Sequence, residues 1–365
     1  MVMSEIYTRL ANHLHAMGYP IKEGLDEILR ANFNPLEAEV VLALPTNNIP
    51  LQPLSIDHIV SKVDLPREEL IEVLQGLARR GHVFSGKTEK GEKGYALVHR
   101  GFGGFAQVSF WKGERSPFAK KMADLLDTYY QGKTLMQSIE TQTKRFQFIP
   151  LNKTIEPQMQ AVYPFVMLEK VVEKARSIAV AHCPCRMRGQ LQGRGCDYPL
   201  EVCLKFDEMA DHLIENELAR EVTKEEALEI IKRSEEAGLV HFVDNAMGDI
   251  KHNCNCCSCH CWALSPIKER KIPRDVIMAT YFIRETDEGK CSGCGACVDV
   301  CPVDALTMGD DFPIVDRDWC VGCGLCSAQC PTSAAKLRPK SDHIPASNFR
   351  ELHERILAER GLRKA

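Results

Sequence analysis

The sequence predicts an α+β protein of several domains, with a largely helical first half and a small cysteine-rich unit near its C-terminal end. Three observations lead to this prediction. The chain has 365 residues, which is enough for two or three domains. Apolar residues recur at helical spacing through much of the first half. All seventeen cysteines lie after residue 182, and eight of them form two short runs on either side of a predicted strand, turn and strand.

These patterns divide the chain into four predicted parts. Residues 1–110 form a helical domain that contains a helix–turn–helix unit, and residues 111–280 form a mainly helical middle domain. Residues 281–340 carry the two cysteine runs, and residues 341–365 form a C-terminal helix and tail, with helical character over 347–360. We therefore expect the metal or redox chemistry in the second half of the chain.

Composition excludes several classes of protein. The net charge of −4 gives no general basic field that would attract nucleic acid. The N-terminus lacks the basic-then-apolar pattern of a signal peptide, and no apolar run approaches the ~20 residues of a membrane span. A cytoplasmic protein without a membrane span is expected. In such a protein, seventeen cysteines favour metal ligation over disulfides.

The first hundred residues contain two predicted helical units. Residues 1–30 form an amphipathic helix that is interrupted by Gly-Tyr-Pro at 18–20. A short helix over 55–63, a turn, and a second helix over 66–80 are followed by a hairpin over 82–98. Helix, turn, helix and hairpin in this order resemble a winged helix. That resemblance implies a DNA-binding or a protein-binding domain.

The charges of this unit argue against DNA binding. Residues 53–98 carry seven basic and seven acidic side chains, so the unit has no net positive charge. The helix that would enter the groove begins with Arg67, Glu68 and Glu69 and adds Glu72. Carboxylates at that place would face phosphate groups. We therefore expect a supporting or protein-binding domain and no DNA partner.

The middle of the chain offers weaker signals. The aromatic run 107–111 predicts a strand, and residues 117–130 predict a helix. Thr223 and Glu226 have the spacing of a capping box for a helix that ends at Gly238. A helical hairpin is expected to bring together the two cysteine-containing loops on either side of this stretch.

Eight cysteines form two copies of the run C-x2-C-x2-C-x3-C-P. The runs contain Cys291, Cys294, Cys297 and Cys301, and then Cys320, Cys323, Cys326 and Cys330. Soft thiolates at this spacing select iron–sulfur clusters over harder metals. A pair of zinc ribbons is the alternative, but it requires ligand pairs at a longer separation. The two runs therefore predict two [4Fe–4S] clusters.

The segment 287–338 resembles the bacterial two-cluster ferredoxins. In that family the fourth cysteine of each run binds the cluster of the other run. The resemblance implies that Cys291, Cys294, Cys297 and Cys330 hold one cluster, and that Cys320, Cys323, Cys326 and Cys301 hold the second. The glycines at 293, 295, 322 and 324 allow the chain to curl around each cluster, because glycine tolerates positive φ.

Nine cysteines lie upstream of these runs, and spacing does not determine which of them bind a metal. They are Cys183, Cys185, Cys196, Cys203, Cys254, Cys256, Cys257, Cys259 and Cys261. Three or four of them could hold a third iron–sulfur cluster. They could instead hold zinc, with His182, His252 or His260 as a further ligand. A dithiol or substrate-facing redox site is a third possibility.

Two details bear on this upstream set. Cys256 and Cys257 are adjacent, so their side chains point in different directions and are not expected to bind one metal ion together. Arg186 and Arg188 follow the first cysteine pair. They either offset thiolate charge or lie on the solvated surface.

The arrangement as a whole resembles iron–sulfur proteins of anaerobic bacteria that join a helical N-terminal part, these two cysteine loops and a two-cluster ferredoxin module. We expect an electron-transfer protein or subunit whose partner is a ferredoxin, a flavoprotein or another oxidoreductase subunit. The alternatives are a reductase with its active site at the upstream cysteines and a redox-sensing DNA-binding regulator. No catalytic triad, nucleotide loop or flavin motif indicates a substrate.

Overall fold

The computed structural model describes residues 5–98, 107–130, 141–151, 154, 167–340 and 345–362. These residues form a mixed α+β structure, as predicted. They contain one sheet of three strands, one of six strands and two of two strands, with helices packed around them.

The N-terminal part begins with three helices: α1 (Glu5–His15), α2 (Leu25–Asn32) and α3 (Pro35–Leu42). The predicted break at 18–20 separates the first two. Asn34 caps α3 with a complete capping box, because its side chain accepts the N–H of Glu37 while the Glu37 carboxylate accepts the N–H of Asn34. Leu10, Leu14 and Leu29 are buried in one core cluster with the helices that follow.

The predicted helix, turn, helix and hairpin are present. They comprise β1 (Leu54–Ser55), α4 (Ile56–Val60), α5 (Arg67–Arg79), β2 (Val83–Lys87) and β3 (Lys93–Leu97). The strands pair antiparallel in the order β1-β3-β2. The elements agree in kind and order with the sequence, whereas the resemblance to a winged helix stays a prediction.

The aromatic run 107–111 was predicted as a strand, and this prediction is wrong. Residues Val108–Trp111 form the short helix α6, and the predicted helix follows as α7 (Pro117–Tyr129). Helical spacing places Val108 and Trp111 in one buried cluster and Phe110 in another. The strand propensity of these residues is overridden because one helical turn buries all three side chains.

The middle part contains a six-stranded sheet between its helices, which the prediction of a mainly helical domain did not include. Its strands are β4 (Phe146–Ile149), β5 (Ile178–His182), β6 (Glu201–Phe206), β7 (Arg220–Glu221), β8 (Val240–Asp244) and β9 (His252–Cys256). They lie in the order β4-β8-β9-β6-β5-β7, and every pair is antiparallel. Short buried strands have continuous apolar runs that periodicity cannot separate from helix.

Six helices surround this sheet and lead to the C-terminal unit. They are α8 (Leu168–Lys174), α9 (Pro184–Leu191), α10 (Asp207–Glu215), α11 (Lys224–Glu236), α12 (Leu264–Lys268) and α13 (Arg274–Ile277). Thr223 caps α11 by accepting the N–H of Glu226 at 3.2 Å. Only this half of the predicted capping box is present among the described contacts, because the Glu226 carboxylate binds Arg220.

The cysteine runs lie in a small unit of paired strands and single-turn helices. It contains β10 (Phe282–Thr286), α14 (Ala296–Asp299), β11 (Leu306–Met308), β12 (Pro313–Val315), α15 (Leu325–Ala328) and β13 (Ala335–Pro339). The predicted strand, turn and strand are confirmed as β11 and β12, and β10 pairs with β13. The predicted C-terminal helix is α16 (Phe349–Glu359).

The cysteine-rich unit packs directly against the six-stranded sheet. One hydrophobic cluster joins Phe148 and Phe242 of the sheet to Val303, Val321 and Leu325 of the unit. The N–H of Leu151, just after β4, donates to the carbonyl of Cys323 at 3.0 Å. The predicted domain boundaries stay predictions, although this shared core fixes how the two parts meet.

Candidate metal centres

The backbone of both cysteine runs curls at the predicted glycines. Gly293 and Gly322 have φ of 66°, Gly295 has 74° and Gly324 has 81°. These are left-handed conformations that only glycine adopts without strain. Gly295 and Gly324 also precede α14 and α15, so each run enters a helix immediately after the curl.

The structure groups the first three cysteines of each run. The thiol of Cys297 interacts with those of Cys291 and Cys294. Cys301, although it belongs to the first run, lies among the cysteines of the second run, which are Cys320, Cys323 and Cys326. The assignment of ligands to each cluster remains a prediction, and the position of Cys301 agrees with it.

Backbone N–H groups point at the fourth cysteine of each run. The N–H of Ala305 donates to Cys301 Sγ at 3.2 Å, and the N–H of Ala335 donates to Cys330 Sγ at 3.4 Å. Such hydrogen bonds stabilise thiolates and help to set the reduction potential of a cluster.

The two runs differ in their exposure. Cys320, Cys323 and Cys326 are buried, with exposed fractions of 7–8%. Cys294 is exposed, and Cys291 and Cys297 are partly exposed. The second run therefore faces the protein interior, whereas the first faces solvent.

Burial makes the thiolates of the second run costly without a metal. Burial raises the pKa of Cys326 to about 12, and it raises the pKa of Cys323 well above its ordinary value. Metal ligands must be deprotonated, so bound iron would supply the compensating positive charge.

The upstream cysteines also come together, but a sheet and not a helical hairpin brings them there. Strands β6 and β9 are neighbours, with Leu204 opposite Asn253. This pairing places the thiol of Cys203 beside that of Cys254. The expected helical hairpin was wrong because the middle strands were not recognised from the sequence.

Six of the nine upstream cysteines form one group. The thiol pairs Cys183–Cys185, Cys203–Cys254, Cys254–Cys256 and Cys256–Cys261 lie within hydrogen-bonding reach. Cys185 also interacts with Cys261, and Cys183 interacts with Cys203, which closes a ring. We call these six residues the thiol ring. Such a density of thiols suits an iron–sulfur cluster.

Two members of the thiol ring ionise most easily. The hydrogen bond from the Cys185 thiol, together with the nearby charge of Arg186, lowers the pKa of Cys183 to about 7. Hydrogen bonds from Cys203 and Cys256 hold the pKa of Cys254 well below its ordinary value. The imidazole of His252 adds to this effect, since its Nε2 lies 2.9 Å from Cys254 Sγ.

The other three upstream cysteines lie together at a second place. Cys196, Cys257 and Cys259 join His260, and one ligand atom from each of the four lies within 4.8 Å of all the others. The adjacent residues Cys256 and Cys257 thus belong to different groups, which agrees with the expectation that they do not share a metal ion.

A cavity of about 930 Å³ opens onto the thiol ring. Aromatic side chains, including Trp111, Phe242 and Trp262, form part of its wall. Seven basic and two acidic side chains also line it: Lys144, Arg145, Arg188, Arg194, Lys205, Lys271, Arg360, Asp127 and Glu269. The wall therefore carries an excess of positive charge beside the cysteines.

Buried polar residues support the thiol ring, and one of them, Lys205, was not predicted from the sequence. Lys205 is fully buried, and its Nζ lies 2.6 Å from His252 Nδ1. Arg186 is 1% exposed and lies against Cys183, Cys256 and Cys257, so the possibility that it is surface is wrong. Alternating residues of β9 could have indicated the inward positions of His252, Cys254 and Cys256.

One further possible ligand and one acidic group lie outside the thiol ring. His182, considered as a zinc ligand, has its Nδ1 3.3 Å from the carbonyl of Trp111, and its role as a ligand stays a prediction. The acidic group of Asp207, Glu208 and Asp249 surrounds the Lys251 ammonium, which lies 2.5 Å from Glu208 Oε2. A buried lysine therefore already balances that negative charge.

Comparison with known families identifies the kind of domain that contains the two cysteine runs. Residues 290–334 match the 4Fe-4S dicluster domain. This unit therefore carries two [4Fe–4S] clusters, as the spacing predicted, and a zinc ribbon is set aside. The match covers a minor part of the chain, and it implies electron transfer for that part.

One curated relative is similar over a short segment. It is a subunit of the ion-translocating oxidoreductase complex of Methanosarcina acetivorans, and it is 42% identical over 40 residues, which make up 11% of this chain and 15% of that protein. The aligned part thus spans far less than two thirds of the relative. No solved structure matches the chain at a significant level. Within the described residues, no helix has the length and apolar character needed to cross a bilayer.

Proposed function

We propose that this protein transfers electrons between a redox partner and an internal metal centre, through the two [4Fe–4S] clusters in series. The difference in exposure between the two runs carries this proposal. The solvent-facing run, which includes Cys294, would exchange electrons with the partner, and the buried run would relay them inward.

The packing of the buried run supports the inward direction. Cys320 and Cys323 share one hydrophobic cluster with Cys256 and Cys261 of the thiol ring. Leu151 links strand β4 to Cys323 through a backbone hydrogen bond. A continuous, closely packed path therefore joins the buried run to the ring, with no solvent layer required between them.

The thiol ring would hold a third iron–sulfur cluster, with its ligands drawn from Cys183, Cys185, Cys203, Cys254, Cys256 and Cys261. Six thiols exceed the four that a [4Fe–4S] cluster needs. The ring could therefore supply different ligand sets, and Arg186 and Lys205 would offset part of the thiolate charge.

The cavity favours a second candidate function, a reductase whose active site is the thiol ring. A cavity of about 930 Å³ is within the size range of small-molecule sites. Its excess of basic side chains would attract an anionic ligand. Electrons delivered by the two clusters could then be used at the ring.

The partner would be a ferredoxin, a flavoprotein or a subunit of a larger oxidoreductase. The similarity to a subunit of an oxidoreductase complex supports the last of these. DNA binding receives no further support, because Glu68 and Glu69 are exposed at the start of α5. A redox-sensing regulator therefore stays the weakest of the alternatives.

The first test measures iron and acid-labile sulfide in protein purified without oxygen. We expect about 12 irons per chain with matching sulfide, which corresponds to three four-iron clusters. About 8 irons would remove the internal iron–sulfur centre and overturn the proposed inward transfer.

A second test follows the path of the electrons. Reduced ferredoxin is mixed with the wild-type protein and with Cys294→Ala, and reduction of each cluster is followed by rapid-freeze electron paramagnetic resonance. Loss of the solvent-facing cluster should slow reduction of the buried cluster at least about tenfold, whereas equal rates would overturn the proposed order. Iron analysis of the variant verifies that the buried cluster is still present.

A further inference from the structure

We propose that Cys196, Cys257, Cys259 and Nδ1 of His260 bind one structural Zn²⁺ ion, at a site separate from the thiol ring. The assignment does not depend on the proposed electron transfer. It divides the upstream cysteines into a zinc group and a redox group, where the sequence left one undivided set.

The spacing of the four ligand atoms fits a single ion. One ligand atom from each of the four residues, a sulfur from each cysteine and a ring nitrogen from His260, lies within 4.8 Å of the others. Zn–S bonds of about 2.3 Å place the corners of a tetrahedron about 3.8 Å apart, so a small inward movement completes the site. A four-iron cluster holds its cysteines further apart, because each sulfur binds a different iron atom.

His260 is held ready to bind through Nδ1. Its Nε2 donates to the backbone carbonyl of Arg194, which places the ring proton on Nε2 and leaves a lone pair on Nδ1. Nδ1 is buried and has no hydrogen-bond partner in the described part of the chain. A backbone carbonyl on the other ring nitrogen is the usual support of a zinc-bound histidine.

The orientation of the ring is also fixed. The His260 ring lies directly against Gly189 in α9, where a Cβ atom would collide with it. This contact holds the imidazole plane beside the three thiols. Glycine is therefore required at position 189 by the packing of the His260 ring, and not by the backbone conformation.

The donor set indicates zinc and a structural role. Three cysteines and one histidine are a common set for structural zinc, and four protein ligands leave no open position for chemistry. The ion would join the loop that contains Cys196 to the loop after β9. The second loop begins next to Cys256, so the zinc site would also hold one side of the thiol ring in place.

The test uses the full chain, purified without oxygen, and measures zinc and iron together. The wild-type protein should contain about one zinc per chain. Zinc X-ray absorption should show three sulfur atoms at about 2.3 Å and one nitrogen at about 2.0–2.1 Å. No bound zinc, or a shell of four sulfur atoms, would overturn the proposal.

Matched variants locate the ion. Cys259 is exposed, so Cys259→Ser removes a ligand with little packing cost. This variant should lose most of its zinc and keep its iron, whereas Cys203→Ser in the thiol ring should keep its zinc. If Cys259→Ser kept its zinc and Cys203→Ser lost it, the assignment would be overturned.

The iron content of the wild type tests the electron-transfer proposal separately. About 8 irons with one zinc per chain would reject that proposal and would still support the zinc site.

Discussion

Arg284 Nη2 lies 3.8 Å from the thiol sulfur of Cys297. Arg284 is 2% exposed and belongs to β10, next to the two cysteine runs. Its charge also acts on the thiol of Cys326 in the other run. A single buried cation therefore lies close to cysteines of both runs.

Replacement of this cation should lower the reduction potentials of both clusters. A positive charge stabilises the reduced and more negative form of a cluster. At a separation of ~6 Å in an effective dielectric of ~20, one charge contributes about 3 kcal/mol. Solvent screening reduces this value, so Arg284→Met should shift the potentials downward by tens of millivolts and by at most about 100 mV. Redox titration monitored by electron paramagnetic resonance measures both clusters.

Arg284→Lys is the matched control, because it keeps the charge and loses the planar guanidinium. Its potentials should stay closer to those of the wild type. Equal shifts in Arg284→Lys and Arg284→Met would contradict the electrostatic explanation and indicate a packing effect.

The sequence predicted the two-cluster unit in detail because each run is a local pattern. Cysteine spacing and glycine positions determine how the chain curls around a cluster, and the left-handed φ angles of Gly293 and Gly322 agree with this. The strands β11 and β12 also lie between the runs as expected. Little of this unit depends on residues distant in sequence.

The upstream centres could not be derived in the same way, because they are assembled by tertiary contacts. Cys203 meets Cys254 only through the pairing of β6 with β9. His260 gains its tautomer from the carbonyl of Arg194, 66 residues away in the sequence. The buried position of Arg186 follows from the same arrangement, whereas its sequence neighbours left open whether it offsets thiolate charge or lies on the surface.

Equivalent glycines of the two runs should differ in their tolerance of alanine. Gly293 and Gly322 share a φ of 66°, so alanine strains the backbone equally at both, by about 1–2 kcal/mol. A Cβ at Gly293 would lie 3.2 Å from the carbonyl oxygen of Asp311, whereas at Gly322 it would collide with that of Phe282 in β10. Gly322→Ala should therefore lose the buried cluster, while Gly293→Ala keeps both.

Iron per chain and the apparent melting temperature measure this difference. Gly293→Ala serves as the control for backbone strain alone. If both variants bound wild-type amounts of iron, β10 would have to move away from Gly322 without cost, and the close contact between Gly322 and the carbonyl of Phe282 would be incorrect.

The two clusters should also differ in their sensitivity to chelators and air. Cys294 is exposed, while Cys320, Cys323 and Cys326 are 7–8% exposed, so reagents reach the first run more easily. Release of iron should be biphasic, and the fast phase should belong to the solvent-facing cluster. Mössbauer spectra recorded during the reaction measure each phase, and Cys294→Ala should lack the fast one. A single phase would contradict the difference in exposure.

The stability of the protein in acid should depend on His212, which lies in the core between the N-terminal part and the six-stranded sheet. This residue is buried in α10, and its Nδ1 accepts the N–H of Ser85 at 3.1 Å. Burial, together with the charge of Lys93, lowers the pKa of His212 to about 3. Nδ1 therefore carries no proton in the folded protein at neutral pH.

The sign of the pH dependence follows from this shift. Because the pKa of His212 is about 3 in the folded protein and about 6.5 in the unfolded chain, the unfolded chain binds more protons between these values. The contribution of His212 to the free energy of unfolding is complete above pH ~6.5 and falls as the pH decreases toward ~3, by about 2 kcal/mol at pH 5.

His212→Asn keeps an acceptor for Ser85 and cannot be protonated. Its apparent melting temperature should start lower at pH 7.5, because it packs less well, and should fall less by pH 5. His58→Asn, at an exposed position, controls for the loss of a histidine elsewhere, and a decrease in His212→Asn as large as in the wild type would show that another group causes the acid sensitivity.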